Sequence, residues 1–281
     1  MPSQLYNILV PVSFTSRDKW AIAKAIELSN ALHANIHLVH VVCKHVLPVL
    51  PVESGYWFPY DYTADMKNAQ DKLVLLRDRY APHLCGNSVI EISVLQGSLQ
   101  EAITGYIRRY AMDLVVTGLA RFNLLHRLLS SVSISVLTRK ISIPVLAVMP
   151  GGLVSHFKKI VLPLHNDLPM KRIRLAALLG RHFKSTIYVV ALRREQEQEL
   201  SLLSQTLEVI GSITTVPVQS IIMEGRNLAL STIRFSKKIN ADLIMINPVR
   251  EFLLPGRWNR MTQKLLTYGS HIPVLTVEKE E

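Results

Sequence analysis

Asn7-Ile8-Leu9-Val10-Pro11-Val12 returns as Lys159-Ile160-Val161-Leu162-Pro163-Leu164, and this recurrence decides how the whole chain is read. Each run is a polar residue, three aliphatics, a proline and one more aliphatic. The two are 152 positions apart. Further along, Asp113-Leu114-Val115-Val116 returns as Asp242-Leu243-Ile244-Met245, and Ile143-Pro144-Val145-Leu146 as Ile272-Pro273-Val274-Leu275, both 129 positions apart. The closing segments therefore align without a gap, and the second copy lacks 23 residues in its middle (152 less 129). Duplication of one unit explains the pattern.

Within the first copy, Ile8 to Val12, Ile36 to Val42, Ile90 to Leu95, Leu114 to Thr117 and Val145 to Val148 read as strands. Strands covered by helices on both faces should be continuous apolar runs rather than alternating ones, and most of these are. Ala21, Ala25, Leu28 and Leu32 recur at helical spacing within Lys19 to Leu32, and Thr15 or Ser16 stands where a cap is needed. In the second copy Asp167 before Pro169 reads as a cap and first-turn pair, with Ile173, Ala176, Ala177 and Gly180 as the inner stripe. The expected fold is α/β: two domains, 1–150 and a shortened 151–281. Each has a five-stranded, mostly parallel sheet flanked by helices, and Met149-Pro150-Gly151-Gly152 is the linker.

Composition narrows the class. The 281 residues are 49% hydrophobic and 19% charged, which excludes a disordered chain or a coiled coil. No apolar stretch is long enough to cross a bilayer. Met1 to Asn7 is too short and polar for a secretory signal, and the two cysteines, Cys43 and Cys85, form neither a disulfide framework nor a metal motif, so a reduced cytoplasmic compartment is expected. The net charge of +11 leans toward the second copy, but the basic residues are scattered in short doublets such as Lys158-Lys159. That distribution reads as a solvated surface before it reads as a polyanion site.

In an open parallel sheet, ligands settle beyond the carboxyl ends of the strands where the winding reverses. The residues there are Ser13, the loop after Val42, Gly97 and the stretch from Gly118 to Val132. Four segments in order, Ile8 to Val12, Asp113 to Gly118, Arg127-Leu128-Leu129-Ser130-Ser131-Val132 and Pro144-Val145-Leu146, resemble the universal stress protein family. The resemblance extends to both copies and implies a tandem member. It also implies Rossmann-like domains of the adenine nucleotide alpha hydrolase type.

Nucleotide-binding members of that family carry an Asp directly after the first strand, and a Gly-x-x-Gly loop leading to Gly-Ser or Gly-Thr at a helix start. Bare backbone and a helix N-terminus then meet the phosphates. Here Ser13 replaces the Asp, Gly118 is kept, Arg121 replaces the second glycine, and Ser130-Ser131 stands at the final Gly-Ser in a loop one residue shorter. In the second copy His165 aligns with Ser13, Asn247 with Gly118 and Arg250 with Arg121. The resemblance therefore implies a non-catalytic, stress-linked binding or regulatory protein with degenerate nucleotide loops and no cofactor. The alternative is an ATP or adenine-nucleotide sensor using Pro11, Val12, Ser13, Val41, Gly118, Arg121, Ser130 and Ser131 of the first domain.

Two other features invite function. Arg226, Arg250, Arg257 and Arg260 gather near strand ends of the second copy, where they read either as a repurposed anion site or as ordinary surface arginines. Residues 46–62, present only in the first copy, set Pro48, Pro51 and Pro59 among Tyr56, Trp57, Phe58, Tyr60 and Tyr62. Such a segment is a lid, a docking surface for a transporter or kinase partner, or a loop folded onto its own domain. The first domain is expected to pair with the second through their last strands, and a homodimer is a further possibility.

Other chemistry is set aside. His37 and His40 lie three apart on one strand and point to opposite faces, so with His33 and His45 they read as structural rather than as metal ligands. No nucleophile elbow, Walker loop or dinucleotide motif is present, and Glu53, Asp61 and Asp65 form no acid/base pair at a defined spacing. No Lys or Arg falls between His45 and Asp65, so the aromatics are not interleaved with basic residues as single-strand nucleic-acid binding requires.

Overall fold

A computed structural model describes residues 5–43, 62–119, 143–149, 156–164, 168–193, 197–225, 227–247 and 271–278. Among these residues the strands are β1 (Asn7–Pro11), β2 (Asn35–Val42), β3 (Ile90–Gln96), β4 (Leu114–Gly118), β5 (Val145–Val148), β6 (Lys159–Pro163), β7 (Thr186–Leu192), β8 (Val218–Met223), β9 (Leu243–Ile246) and β10 (Val274–Thr276). The α-helices are α1 (Asp18–Leu32), α2 (Thr63–Tyr80), α3 (Leu99–Arg109), α4 (Met170–Phe183), α5 (Glu197–Ile213) and α6 (Leu228–Lys238).

All ten strands join one sheet in the order β3-β2-β1-β4-β5-β10-β9-β6-β7-β8. Every neighbour pair is parallel except β5 with β10, where Val145 lies opposite Thr276, Leu146 opposite Leu275 and Ala147 opposite Val274. The order is the same read inward from either edge. The winding reverses twice, between β1 and β4 and between β6 and β9, which creates two strand-end clefts.

The central strands β1, β5, β6, β9 and β10 are buried almost throughout, because helices cover both faces. On one face Ile22 and Leu28 of α1, Leu73 of α2, Ile173 of α4 and Ile210 of α5 pack on Ile8, Leu38, Ile160 and Val189. On the other, Ile103 and Ile107 of α3 and Ile233 of α6 pack on Leu9, Val39, Val161 and Val190. The first layer runs on without a break from one half of the chain into the other. Lys24 of α1, fully buried, sits 4.8 Å from the Phe157 ring and pairs with Glu27 at 2.6 Å, and Glu27 also meets His156 at 3.3 Å.

Several bonds of one half recur in the other. The Asp113 N–H donates to the Asn7 carbonyl and the Asp242 N–H to the Lys159 carbonyl, both at 3.0 Å. Each carboxylate accepts a strand N–H in return, Asp113 from Asn7 at 3.0 Å and Asp242 from Lys159 at 2.9 Å. α1 and α4 both end on a left-handed residue, His33 at φ 55° and Lys184 at φ 52°. The inner stripe expected for α4 is buried as read.

Two capping expectations are corrected. α1 takes no side-chain cap from Thr15 or Ser16; Arg17 stands at the boundary, and the first-turn Asp18 reaches back to the loop instead. α4 begins at Met170, so Pro169 precedes the first helical residue rather than occupying it, and Asp167 lies outside the described residues. The structure also adds α2, an 18-residue helix whose only buried residues are Ala69 and Leu73.

Candidate functional site

The first cleft is built where β1 and β4 end. After Pro11 the chain leaves the sheet through Val12, which donates its N–H to Val39 O at 2.8 Å, and Ser13 emerges exposed. Asp18, only 6% exposed, accepts the Thr15 N–H at 2.8 Å, the Ser13 N–H at 3.1 Å and the Ser13 hydroxyl at 3.3 Å. A carboxylate thus does stand beside the end of β1, supplied from the helix five residues later. The positive end of the α1 dipole favours it there, and it already holds the loop's amides.

Two neighbours close this cleft further. Phe14 takes a left-handed backbone at φ 56° and lays its ring 4.5 Å from that of His40, with the Lys72 ammonium 5.4 Å from the Phe14 centroid. The His40 Nδ1 donates to the Val12 carbonyl at 2.8 Å, which fixes that ring against β1. Gly118, at the end of β4, lies against the Arg17 backbone: a Cβ there would come within 2.9 Å of the Arg17 carbonyl carbon and nearer still to its oxygen. The glycine is required by helix–strand packing whether or not any phosphate approaches.

Of the residues read from the sequence, Pro11, Val12, Ser13 and Gly118 meet at this cleft. Val41 is not beside them: it packs on the opposite face of the sheet from Val12, with Val39 and Leu9. Arg121, Ser130 and Ser131 lie outside the described residues, as do His45, Glu53, Tyr56, Trp57, Phe58, Tyr60, Asp61, His165, Arg226, Arg250, Arg257 and Arg260. Tyr62 is described and precedes the first turn of α2. His37 and His40 face opposite sides of the sheet, His37 against Tyr106 and His40 against Phe14.

The second cleft holds a side chain that sequence reading passed over. Arg172 of α4, 3% exposed, donates from one terminal nitrogen to the Pro163 carbonyl at 2.8 Å and to the Met245 carbonyl at 3.1 Å. Its guanidinium therefore bridges the carboxyl-end carbonyls of β6 and β9. The matching position on α1, counted back from the left-handed helix ends, is Ala21. In sequence Arg172 looks like any surface arginine of an amphipathic helix, and nothing in its spacing marks it. Asp18, by contrast, carried a usable signal as the acidic residue of a first turn.

The model of the universal stress protein family matches residues 6–149. The chain belongs to the universal stress protein family. A universal stress protein from Archaeoglobus fulgidus shares the fold with a TM-score of 0.73 over 98% of both chains at 12% identity. A Pseudomonas aeruginosa protein of unknown function matches over 99% of this chain and 94% of its own, with a TM-score of 0.58 at 14% identity. The cytoplasmic domain of a prokaryotic cation chloride cotransporter matches over 98% and 96%, with a TM-score of 0.53 at 13% identity. Comparison with curated protein sequences returned no match. Like the family's fold at large, this universal stress protein is α/β with a mostly parallel sheet, and none of its described helices is long and apolar enough to cross a membrane.

Proposed function

We propose that the chain is a tandem universal stress protein, 1–150 followed by a diverged 151–281, that acts in the cytoplasm as a non-catalytic binding or regulatory module. Its two strand-end clefts have been given over to its own side chains. The observation that carries this reading is the buried Asp18, whose carboxylate holds the Ser13 and Thr15 amides. The start of α1 beside β1 therefore offers bonded amides and a carboxylate, not the free N–H groups and positive potential that an anion seeks. Arg172 supports the same reading in the second cleft, where its bonds to Pro163 and Met245 occupy the space between the strands.

The alternative is an ATP sensor using the first domain. Native mass spectrometry of freshly purified protein separates the two. A bare chain mass agrees with the filled-cleft reading; a co-purified mass equal to an adenine nucleotide contradicts it.

A second reading is a regulatory partner of a transporter, docking through residues 46–62 and their aromatics. It is favoured by the full-length fold shared with the cytoplasmic domain of a cation chloride cotransporter. Deleting residues 50–60 tests it. Loss of a co-purifying membrane transporter supports the reading, and an unchanged set of partners ends it.

A further inference from the structure

The two halves can be read as controls for each other. His37 and Tyr188 hold the same place, two residues beyond the first paired residues of β2 and β7, Asn35 and Thr186. Tyr106 and Phe235 hold the same place on α3 and α6, seven residues before Asp113 and Asp242. Both pairs are edge-on, with ring centroids 5.9 Å apart and interplanar angles of 69° and 61°. The fold is therefore satisfied by two aromatics at this position. Only the first half puts an imidazole there.

That imidazole is built into a polar chain. His37, 4% exposed, has Nδ1 3.0 Å from the Tyr106 hydroxyl, which lies 3.2 Å from the Ser93 hydroxyl. The same nitrogen is 3.4 Å from a carboxylate oxygen of Glu91, whose side chain is 53% exposed. Glu91 and Ser93 come from β3, Tyr106 and Tyr110 from α3, and Arg109 stands with its guanidinium 5.6 Å from the Tyr110 ring. From β1 the facing residue is Leu9, paired with His37 in register.

We propose that His37, Tyr106 and Glu91 form a proton-operated latch that holds α3 against the first-half sheet. With the ring neutral and its hydrogen on Nε2, the Tyr106 O–H donates to Nδ1 and the Ser93 O–H donates to the Tyr106 oxygen. A proton taken from solvent at Nδ1 turns that nitrogen into a donor. Its N–H then donates to the Tyr106 oxygen or to Glu91. The Tyr106 hydroxyl, having lost its acceptor on the ring, must swing its hydrogen toward Ser93 and so reverses the bonding that joins α3 to β2 and β3. The latch holds the carboxyl end of α3, while the other end follows Gly97, whose N–H donates to Val42 O at 3.1 Å on the cleft side of the sheet. Proton uptake near the amino end of β2 is thereby coupled to a helix whose other end borders the carboxyl ends of the strands.

Burial holds His37 below its usual value of 6.5, with Glu91 drawing it partly back, and burial raises Tyr106, which stays protonated throughout. The unfolded chain takes up this proton near pH 6.5, and the folded chain only at a lower pH. Stability from the group is complete above that value and falls as pH drops toward the folded pKa, by at most about tenfold in the folding constant per pH unit.

Nitrogen-15 NMR of the full chain from about pH 8 to 5 tests the latch. Expected are the Nε2–H tautomer of His37 at the alkaline end, a midpoint below 6.5, and amide shifts in residues 99–109 that follow the same midpoint. His37→Tyr with Tyr106→Phe, which copies the second half, is expected to abolish the α3 response. Glu91→Gln, at an exposed edge position, is expected to keep the fold and lower the midpoint. An Nδ1–H tautomer at pH 8, α3 amides indifferent to His37, or a double variant that still responds overturns the proposal. If the double variant does not fold, Glu91→Gln decides, and an unmoved midpoint contradicts the latch.

Discussion

Gly118 lies against the carbonyl of Arg17, so closely that a single added methyl would overlap it. The family's glycine at this place is thus required by the approach of α1 to β4, whether or not a ligand comes near. Gly118→Ala is expected to cost about 1–3 kcal/mol, since backbone on both sides must shift to admit a Cβ. Urea denaturation measures it; a loss below the detection limit would show that α1 can move off the strand freely.

Asp18 anchors the loop between β1 and α1 through two amides and a hydroxyl. Asp18→Ala should lower stability by about 1–3 kcal/mol, because the Ser13 and Thr15 amides lose a charged acceptor. Asp18→Asn, which keeps one acceptor oxygen, should lose less. Equal losses in both variants would mean that packing, not hydrogen bonding, holds the loop.

Arg172→Ala removes the buried donor shared by the Pro163 and Met245 carbonyls. Two strand-end acceptors are then left inside a cavity, and a loss of about 3 kcal/mol is expected. Arg172→Lys should recover only part of it, because an ammonium on a flexible stem replaces a planar donor. Thermal unfolding of the pair gives the answer, and full recovery by lysine would contradict the bonding described.

Leu146 and Leu275 face each other across the antiparallel join of β5 and β10, both nearly fully buried. Each change to Ala should cost about 2–5 kcal/mol. Because the two share one packing site, the double variant should depart from additivity by about 0.5–3 kcal/mol. Strict additivity would mean that the halves do not share this core.

Much of this architecture is legible in the chain. Strands such as Ile8 to Val12 and Leu114 to Thr117 stand out because a doubly covered sheet demands unbroken aliphatic runs. α1 stands out because one apolar face repeats at helical spacing. α2 does not, since only Ala69 and Leu73 are buried and its other apolar residues, such as the exposed Leu75, do not fall on one clean face. The clefts are harder still. Asp18 acts on Ser13 only after the loop turns back, and Arg172 reaches its two carbonyls through a fold that brings Met245 beside Pro163. His37 and Tyr106 are 69 positions apart, and their partnership is visible only once α3 lies on β2.

Calorimetric titration of the purified full chain with magnesium ATP reads the state of both clefts at once. With Asp18 and Arg172 in place, no saturable heat is expected at any affinity tighter than about 1 mM, equivalent to about −4.1 kcal/mol. A saturable, one-to-one isotherm in the micromolar range, abolished by enlarging Gly118, would contradict the claim that the protein's own side chains fill these sites.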